Sequence, residues 1–358
     1  MRIHVTYAGG TIGMIDSPQG LVPGADLKGW LFHVLKATQL DEQDISFTEL
    51  SPLIDSANAT PQNWQAIIDD LWEHKDEADA FVVLHGTDTM AYTSAALSYA
   101  LCDFKKPVIL TGSQLPLGLI ESDATSNVTG AINAALSGKA QGVTLFFGHN
   151  LFWGSRVTKR SSWAFEAFDC PATSPVALTG APWRWFPQIH KAIGWHEPRK
   201  YRNCDIAVID MAPGISSKRL ESMLTPTPEA VLLRAYGVGN IPTSPDIIAV
   251  FKKVIKAGCP VIISSQCQQN VVLAGHYETG DAIAKAGAVG SCDMTLEATY
   301  AKIAFLLSQG LDSKELSEWI SKSIAHELTP VNEEKPKNKP IGLKRLFGRV
   351  AAVKEEMK

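Results

Sequence analysis

The chain has 358 residues, 45% of them hydrophobic and 20% charged, with 33 Lys+Arg against 37 Asp+Glu for a formal net charge of −4. That apolar fraction at so small a net charge excludes disorder as the main description, and the mild acidity argues against a nucleic-acid reader driven by bulk electrostatics. At roughly 100 to 200 residues per domain, the length predicts two domains, each with its own core, and a small-molecule partner.

Met1 to Ala8 reads as a strand and is too short an apolar run for a secretory signal. No uninterrupted apolar stretch approaches the roughly 20 residues that span a bilayer, so the expected location is the cytoplasm, away from membranes. Helical periodicity or composition then marks Trp64 to His74, and a continuous apolar run follows at Ala80 to Leu84. The alternation continues with a helix at Ala91 to Leu101, a run at Pro107 to Leu110, a helix at Asn127 to Leu136 and a run at Gly142 to Phe147. Runs at Ile206 to Ile209, Ala230 to Leu233 and Val261 to Ser264 and helices at Asp246 to Ala257 and Leu296 to Ser308 complete it. Strands apolar on both faces and interleaved with helices predict a parallel sheet covered on both sides, hence a doubly wound α/β fold.

From Ala181 to Arg202 neither period holds, and Trp183, Trp185, Pro187, Trp195 and Pro198 lie among scattered charges. This reads as a linker over the surface at 183–204, between a larger domain at 1–182 and a smaller one at 205–330. Beyond it, 331–358 opens as a solvated connector and continues into the basic amphipathic piece Ile341 to Val350, read as a peripheral helix packed on its own protein. The six cysteines, Cys102, Cys170, Cys204, Cys259, Cys267 and Cys292, form no C-x-x-C pair and no close Cys/His cluster, so they read as reduced thiols and no metal is expected.

In a doubly wound sheet, ligands sit beyond the carboxyl ends of the strands. The first strand runs directly into Gly9-Gly10-Thr11-Ile12-Gly13-Met14, where two glycines permit a tight turn and close backbone approach, with the Thr11 hydroxyl at that point. A phosphate loop fails for want of G-K-[ST] or G-x-G-x-x-G phasing; a structural turn and a functional one both stay open. The run at Ala80 to Leu84 leads into His85-Gly86-Thr87-Asp88-Thr89-Met90, where Thr and Asp also suit a helix N-cap. A third candidate is Arg156-Val157-Thr158-Lys159-Arg160, after the run at Gly142 to Phe147, where a lysine is usually just solvated but a desolvated one can act as a base. Gly237-Val238-Gly239-Asn240 lacks the third glycine of a dinucleotide fingerprint, Pro242 standing in its place.

Tyr7 to Met14 together with His85 to Thr93 resemble the two signature motifs of bacterial L-asparaginases, in particular the cytoplasmic type I branch. The likeness extends over Asp55-Ser56, Thr111-Gly112-Ser113-Gln114, Thr158-Lys159, Arg234 to Asn240 and Asp293 to Thr299, nearly the whole chain up to about Pro330. It implies an N-terminal doubly wound domain with a smaller flavodoxin-like α/β domain, and hydrolysis of L-asparagine to L-aspartate and ammonia without metal or organic cofactor. It further implies Thr11 as nucleophile of an acyl-enzyme, Thr87, Asp88 and Lys159 as a second catalytic group, and Asp55, Ser56, Thr87 and Asp88 as substrate-binding residues. A homodimer or homotetramer follows by the same likeness, as does a second, regulatory asparagine site at Thr158, Arg234, Asn240, Ser265 and Cys267. One departure stands out: relatives carry a tyrosine on the flap after the first motif, where this chain has Gln19-Gly20-Leu21-Val22-Pro23. Tyr300 first and Tyr236 second are the candidates to replace it from a neighbouring subunit. The competing readings are an amidase on glutamine, an amidotransferase on charged tRNA, a hydrolase of lysophospholipid, and an asparagine-binding regulator with little turnover.

Overall fold

The computed structural model describes residues 1–18, 20–35, 41–187, 192–272 and 283–330; the expected tail at 331–358 lies outside them. The N-terminal strands are β1 (Ile3–Tyr7), β2 (Met14–Ser17), β3 (Gly20–Pro23), β4 (Ile45–Glu49), β5 (Ala80–Leu84) and β6 (Val108–Thr111). They continue with β7 (Val143–Phe147), β8 (Asn150–Trp153), β9 (Thr158–Lys159), β10 (Phe168–Asp169), β11 (Ala177–Leu178) and β12 (Arg184–Trp185). Eight of these form one sheet in the order β12-β11-β8-β7-β6-β5-β1-β4. The five from β7 to β4 run parallel, and β8, β11 and β12 add antiparallel pairings at the other edge.

The continuous apolar strands have two buried faces because helices cover both. Phe81 and Val83 of β5 point into a core with α2 (Pro61–Glu73) and α3 (Met90–Ala100). Ala80, Val82 and Leu84 point into a second core with α1 (Leu27–Leu35) and α4 (Ala124–Leu136). The period-two alternation that a one-sided strand would show in its polarity is present here only as a division between two apolar cores.

The second domain has four parallel strands in the order β13 (Ile206–Asp210), β14 (Ala230–Ala235), β15 (Val261–Ser265) and β16 (Val289–Gly290). Its helices are α5 (Ser217–Met223), α6 (Pro245–Lys256), α7 (Leu296–Ser308) and α8 (Ser313–Ile320). Helix α7 is buried along nearly its whole length, because it lies between α3 of the first domain and β14 and β15 of its own. Its apolar residues therefore belong to the same core as α2 and α3, which makes the two domains share a hydrophobic seam.

The aperiodic stretch after Ala181 is more than a surface run. Trp185 pairs with Ala177, so β12 extends the large sheet, while Tyr201 is buried and donates its hydroxyl hydrogen to Ala96 O at 2.8 Å. Trp195 packs its ring on Phe305 and Trp319. A two-residue strand and isolated aromatic anchors have no period to display.

Two buried polar groupings fix this frame. Lys302 on α7 and Glu327 are both fully buried and meet at 2.7 Å, and Lys302 Nζ also donates to Ile320 O and Lys322 O. The Glu327 carboxylate accepts from the N–H groups of Ile324 and Ala325. Burial opposes its ionisation, but Lys302 and those N–H groups outweigh burial and hold it below the usual carboxylate range. At the other end, Asp70 on α2 accepts from Thr6 and lies 3.1 Å from His4 Nε2, both on β1. Burial again opposes ionisation, and the hydrogen bonds from His4, Thr6 and Thr48 prevail, lowering its pKa.

Lys302→Met, which leaves Glu327 buried without its cation, is expected to cost about 3–5 kcal/mol in chemical denaturation. Lys302→Met/Glu327→Gln should cost less than that single change, and a double variant as unstable as the single one would contradict the pairing. Asp70 has a folded-state pKa below its unfolded one, so its contribution is present above the unfolded pKa and lost as pH falls through the folded one. Asp70→Asn should therefore flatten the acid side of the stability–pH curve; an unchanged acid limb would count against this role.

Candidate functional site

Three loops meet at the carboxyl ends of the adjacent strands β4, β1 and β5, and they meet backbone to backbone. Gly9 and Gly10 follow β1 with φ of +131° and +97°, a region side-chain-bearing residues rarely occupy. A Cβ on Gly9 would stand 2.2 Å from Ile54 O, and one on Gly10 would stand 2.4 Å from both N and Cα of Gly86. A Cβ on Gly86 would in turn stand 2.4 Å from Ser56 Oγ. Real side chains cannot fit at those distances, so the glycines are what lets the turn before Thr11, the turn at Ser56 and the turn before Thr87 share one crevice. Hydrogen bonds from Ala8 N to Leu84 O and from Ile54 N to Ala8 O hold the three in register.

Thr11 opens a short 3₁₀ turn, Thr11–Gly13, and is half-buried at the crevice. Asp55 caps a second such turn, Ser56–Asn58; its carboxylate accepts from Ala57 N and Asn58 Nδ2, so it shapes the loop that presents the buried Ser56. Thr89 Oγ1 donates to Ser56 O at 2.7 Å, tying that loop to the one after β5. His85 is buried, and desolvation lowers its pKa against the opposing bond to Gly86 O, keeping the ring neutral between Gly86 O and the Thr93 hydroxyl.

Lys159 on β9 reaches across to this loop. Its Nζ donates to Thr87 Oγ1 at 2.9 Å and to Asp88 Oδ1 at 2.8 Å, and Thr87 Oγ1 donates onward to Gln114 Oε1 at 3.3 Å. Lys159 is largely covered whereas the Asp88 side chain is 64% exposed, so the carboxylate keeps an open face toward a ligand. Such a set can hold an ammonium, pass a proton between oxygen and nitrogen, and exclude bulk water from one side only. Sequence reasoning placed Thr87, Asp88 and Lys159 together, and the structure brings them together. Gln114, which the family likeness covers without a site role, joins them, and the strand-end rule that flags Thr11 and Thr87 applies equally to the residues following β6.

Behind Lys159, Thr158 Oγ1 donates to Glu297 Oε1 at 2.7 Å, across the domain seam. Burial pushes the Glu297 carboxyl up against the opposing hydrogen bond from Thr158, and its Oε2 has no hydrogen-bond partner among the described residues. Arg234, Asn240, Ser265 and Cys267 gather separately at the carboxyl ends of β14 and β15. Cys267 N donates to Ser265 Oγ, Ser265 Oγ donates to Gly237 O, and Asn240 bridges to Tyr236. Arg234 meets Asp210 at 2.9 Å, and its buried Nε has no hydrogen-bond partner among the described residues. Thr158 belongs to the Glu297 contact and not to this grouping's hydrogen bonds.

Tyr300 sets its ring edge-on to Tyr92 at 5.7 Å, and burial raises its pKa. The Tyr236 hydroxyl is buried without a hydrogen-bond partner among the described residues. The backbone of Leu21 lies in the β2–β3 hairpin opposite Asp16, and its side chain is outside the described residues.

Among the described residues one grouping, His4, Asp70 and His74, brings possible metal-binding atoms within 4.8 Å of one another. The His4 and His74 rings stack at 3.9 Å with 13° between planes. Parallel rings so placed cannot both aim in-plane nitrogen lone pairs at one ion, so the cluster is suited to hydrogen bonding rather than to coordination. Among the described residues no helix is long and apolar enough to cross a membrane.

The family model described as asparaginase, N-terminal, matches residues 2–190, and that described as glutaminase/asparaginase C-terminal domain matches residues 205–320. The chain is 39% identical to L-asparaginase 1 of Escherichia coli K12 over 331 residues, covering 92% of this chain and 98% of the relative. It is 33% identical to the human 60 kDa lysophospholipase, covering 94% of this chain but 63% of that longer protein. The crystal structure of L-asparaginase I from Vibrio cholerae superposes with a TM-score of 0.80 at 35% identity, over 92% of this chain and 99% of that one. Two family models in sequence order, each on one of the two α/β domains, and near-complete overlap with those relatives establish that this chain belongs to the asparaginase family.

Proposed function

We propose that the chain is an amidohydrolase that converts L-asparagine to L-aspartate and ammonia, with Thr11 as nucleophile. The observation that supports this most is the grip of one ammonium, Lys159 Nζ, on both Thr87 and Asp88, in a loop packed directly on the turn that precedes Thr11. Relatives named L-asparaginase along nearly the whole length agree with it.

In this reading Asp88 pairs with the substrate ammonium through its open face, while the Ser56 hydroxyl and neighbouring N–H groups receive the α-carboxylate and Asp55 keeps that turn in shape. An analogue lacking either charge would leave a buried group unpaired, which gives strong discrimination. Thr11 Oγ adds to the side-chain amide carbon, the C–N bond breaks, and ammonia leaves with the proton that Thr11 gave up. Water then adds to the aspartyl ester, the ester C–O bond breaks, and Thr11 recovers its proton. A threonine hydroxyl is a poor nucleophile unless something accepts its proton, and the linked Thr87, Lys159 and Asp88 groups are the proton-handling set this chain offers. None of these steps calls on a metal or organic cofactor.

The same reading takes the enzyme as a cytoplasmic homodimer or homotetramer. Where relatives have a flap tyrosine and this chain has Leu21, Tyr300 of a neighbouring subunit is the first candidate and Tyr236 the second. It also includes a second asparagine site at Thr158, Arg234, Asn240, Ser265 and Cys267. Arg234 Nε, unpartnered among the described residues, supports it, since the Arg234–Asp210 pair involves an exposed carboxylate that a ligand carboxylate can replace.

The 33% identity to a lysophospholipase keeps an ester substrate as the second reading. Ammonia release from L-asparagine, L-glutamine and D-asparagine, with fatty-acid release from a lysophospholipid alongside, separates the two, and calorimetric binding of asparagine without ammonia would leave only a binding protein. Thr11→Ala is expected to lower kcat on L-asparagine on the order of a thousandfold or more, and Lys159→Met by about 10²- to 10⁴-fold. Full turnover in either variant would remove that residue from the mechanism. Tyr300→Phe should lower kcat if its hydroxyl serves the partner's site, and unchanged kcat would dismiss it. A strictly hyperbolic rate curve over the whole asparagine range would dismiss the second site.

A further inference from the structure

We infer that Glu297, at the start of α7 in the smaller domain, is a positioning residue for Lys159. The inference rests on the assignment of Lys159 to the active site made above.

Strand β9 is only two residues long, Thr158–Lys159, and pairs solely with the equally short β10 among the described strands. A two-residue ladder cannot by itself hold a long lysine side chain in one place. The strand is instead gripped from the second domain by the run Asp293-Met294-Thr295-Leu296-Glu297. At its far end Glu297 Oε1 accepts from Thr158 Oγ1 at 2.7 Å, immediately next to Lys159. Burial raises the pKa of this carboxyl, and after Thr158 the Lys159 backbone N–H is among the groups that oppose the rise. At the near end Asp293 Oδ2 accepts from Arg156 NH1 at 3.0 Å, with both side chains buried. Arg156 further donates to His326 O and Thr329 Oγ1, so the chain before Thr158 is fixed to the C-terminal segment as well.

Glu297 is itself well anchored. Thr295 caps α7 by accepting from Ala298 N, and α7 is wedged between α3 and the second sheet. A carboxyl buried this deeply is costly unless it serves a hydrogen bond, and its Oε1 accepts one from the hydroxyl beside Lys159. Position reaches the reacting groups along a short path: α7 to Glu297, Glu297 to Thr158, and Lys159 to Thr87 and Asp88. The small domain thus sets the lysine although it supplies no group to the Thr87–Asp88–Lys159 contacts.

The test is the pH dependence of kcat and KM for ammonia release from L-asparagine by the full-length protein, with thermal unfolding measured alongside. Glu297→Ala is expected to lower kcat about tenfold to a hundredfold, the scale of a misplaced catalytic group, with KM changed far less and the pH profile of kcat displaced. Glu297→Gln keeps an acceptor for Thr158 and should restore most of kcat. Thr158→Val removes the same hydrogen bond from the other side and should reproduce the kcat loss and the displaced profile, which keeps the test decisive if Glu297→Ala does not fold. Wild-type kcat and pH profile in Glu297→Ala or Thr158→Val would overturn the inference, as would loss that only follows the folded fraction at an unchanged profile, or failure of Glu297→Gln to recover. A wild-type protein that releases no ammonia would instead overturn the functional reading on which this one stands.

Discussion

The structure depends on the close approach of Gly10 to Gly86. Parallel strands β1 and β5 deliver two loops to the same edge of the sheet, but only the absence of a Cβ on either residue lets those loops touch through their main chains. Gly9 against Ile54 adds the third loop by the same device. Once the backbones are in contact, the next side chains along each loop, Thr11, Ser56 and Thr87, have one crevice to face. Chemistry that needs a hydroxyl nucleophile, a carboxylate receptor and a second hydroxyl together is then a matter of which residues follow the glycines.

The second domain serves that crevice by rigidity. Helix α7 is buried on nearly all sides because it is wedged between α3 and the second sheet, and it carries Glu297 and, through the turn before it, Asp293 into contact with the first domain. The buried Lys302–Glu327 pair closes the C-terminal segment over the same helix, and that segment supplies the carbonyl and hydroxyl that fix Arg156. Ionic and polar contacts of this kind add little stability over an apolar replacement, but each has one satisfactory geometry. The result is a lysine aimed at Thr87 and Asp88 from a strand too short to aim it alone.

Much of this was legible in the sequence. The runs at Ala80 to Leu84 and Leu296 to Ser308 coincide with β5 and α7 because both are continuous, strongly patterned segments. Thr11, Thr87, Asp88 and Lys159 could be picked out because glycine-rich strand ends advertise a crevice and because two motifs in order resemble a known family. Other features leave no periodic mark. The strand at Arg184–Trp185 and the buried Tyr201 arise from a few long-range contacts, so their segment reads as a linker. Gln114, Arg156 and Glu297 fall in segments that the motifs and the family likeness mark, but their partners lie 27 to 139 residues away in sequence, and no local pattern announces a partner that distant.

The central claim is that Thr11 becomes acylated during turnover, and the most direct measurement is mass spectrometry of peptides from enzyme quenched in acid while it is hydrolysing L-asparagine. The peptide containing Thr11 is predicted to carry an added aspartyl group, absent before substrate is supplied and absent in Thr11→Ala. An aspartyl group found on the peptide containing Thr87, with the Thr11 peptide unmodified, would contradict the account.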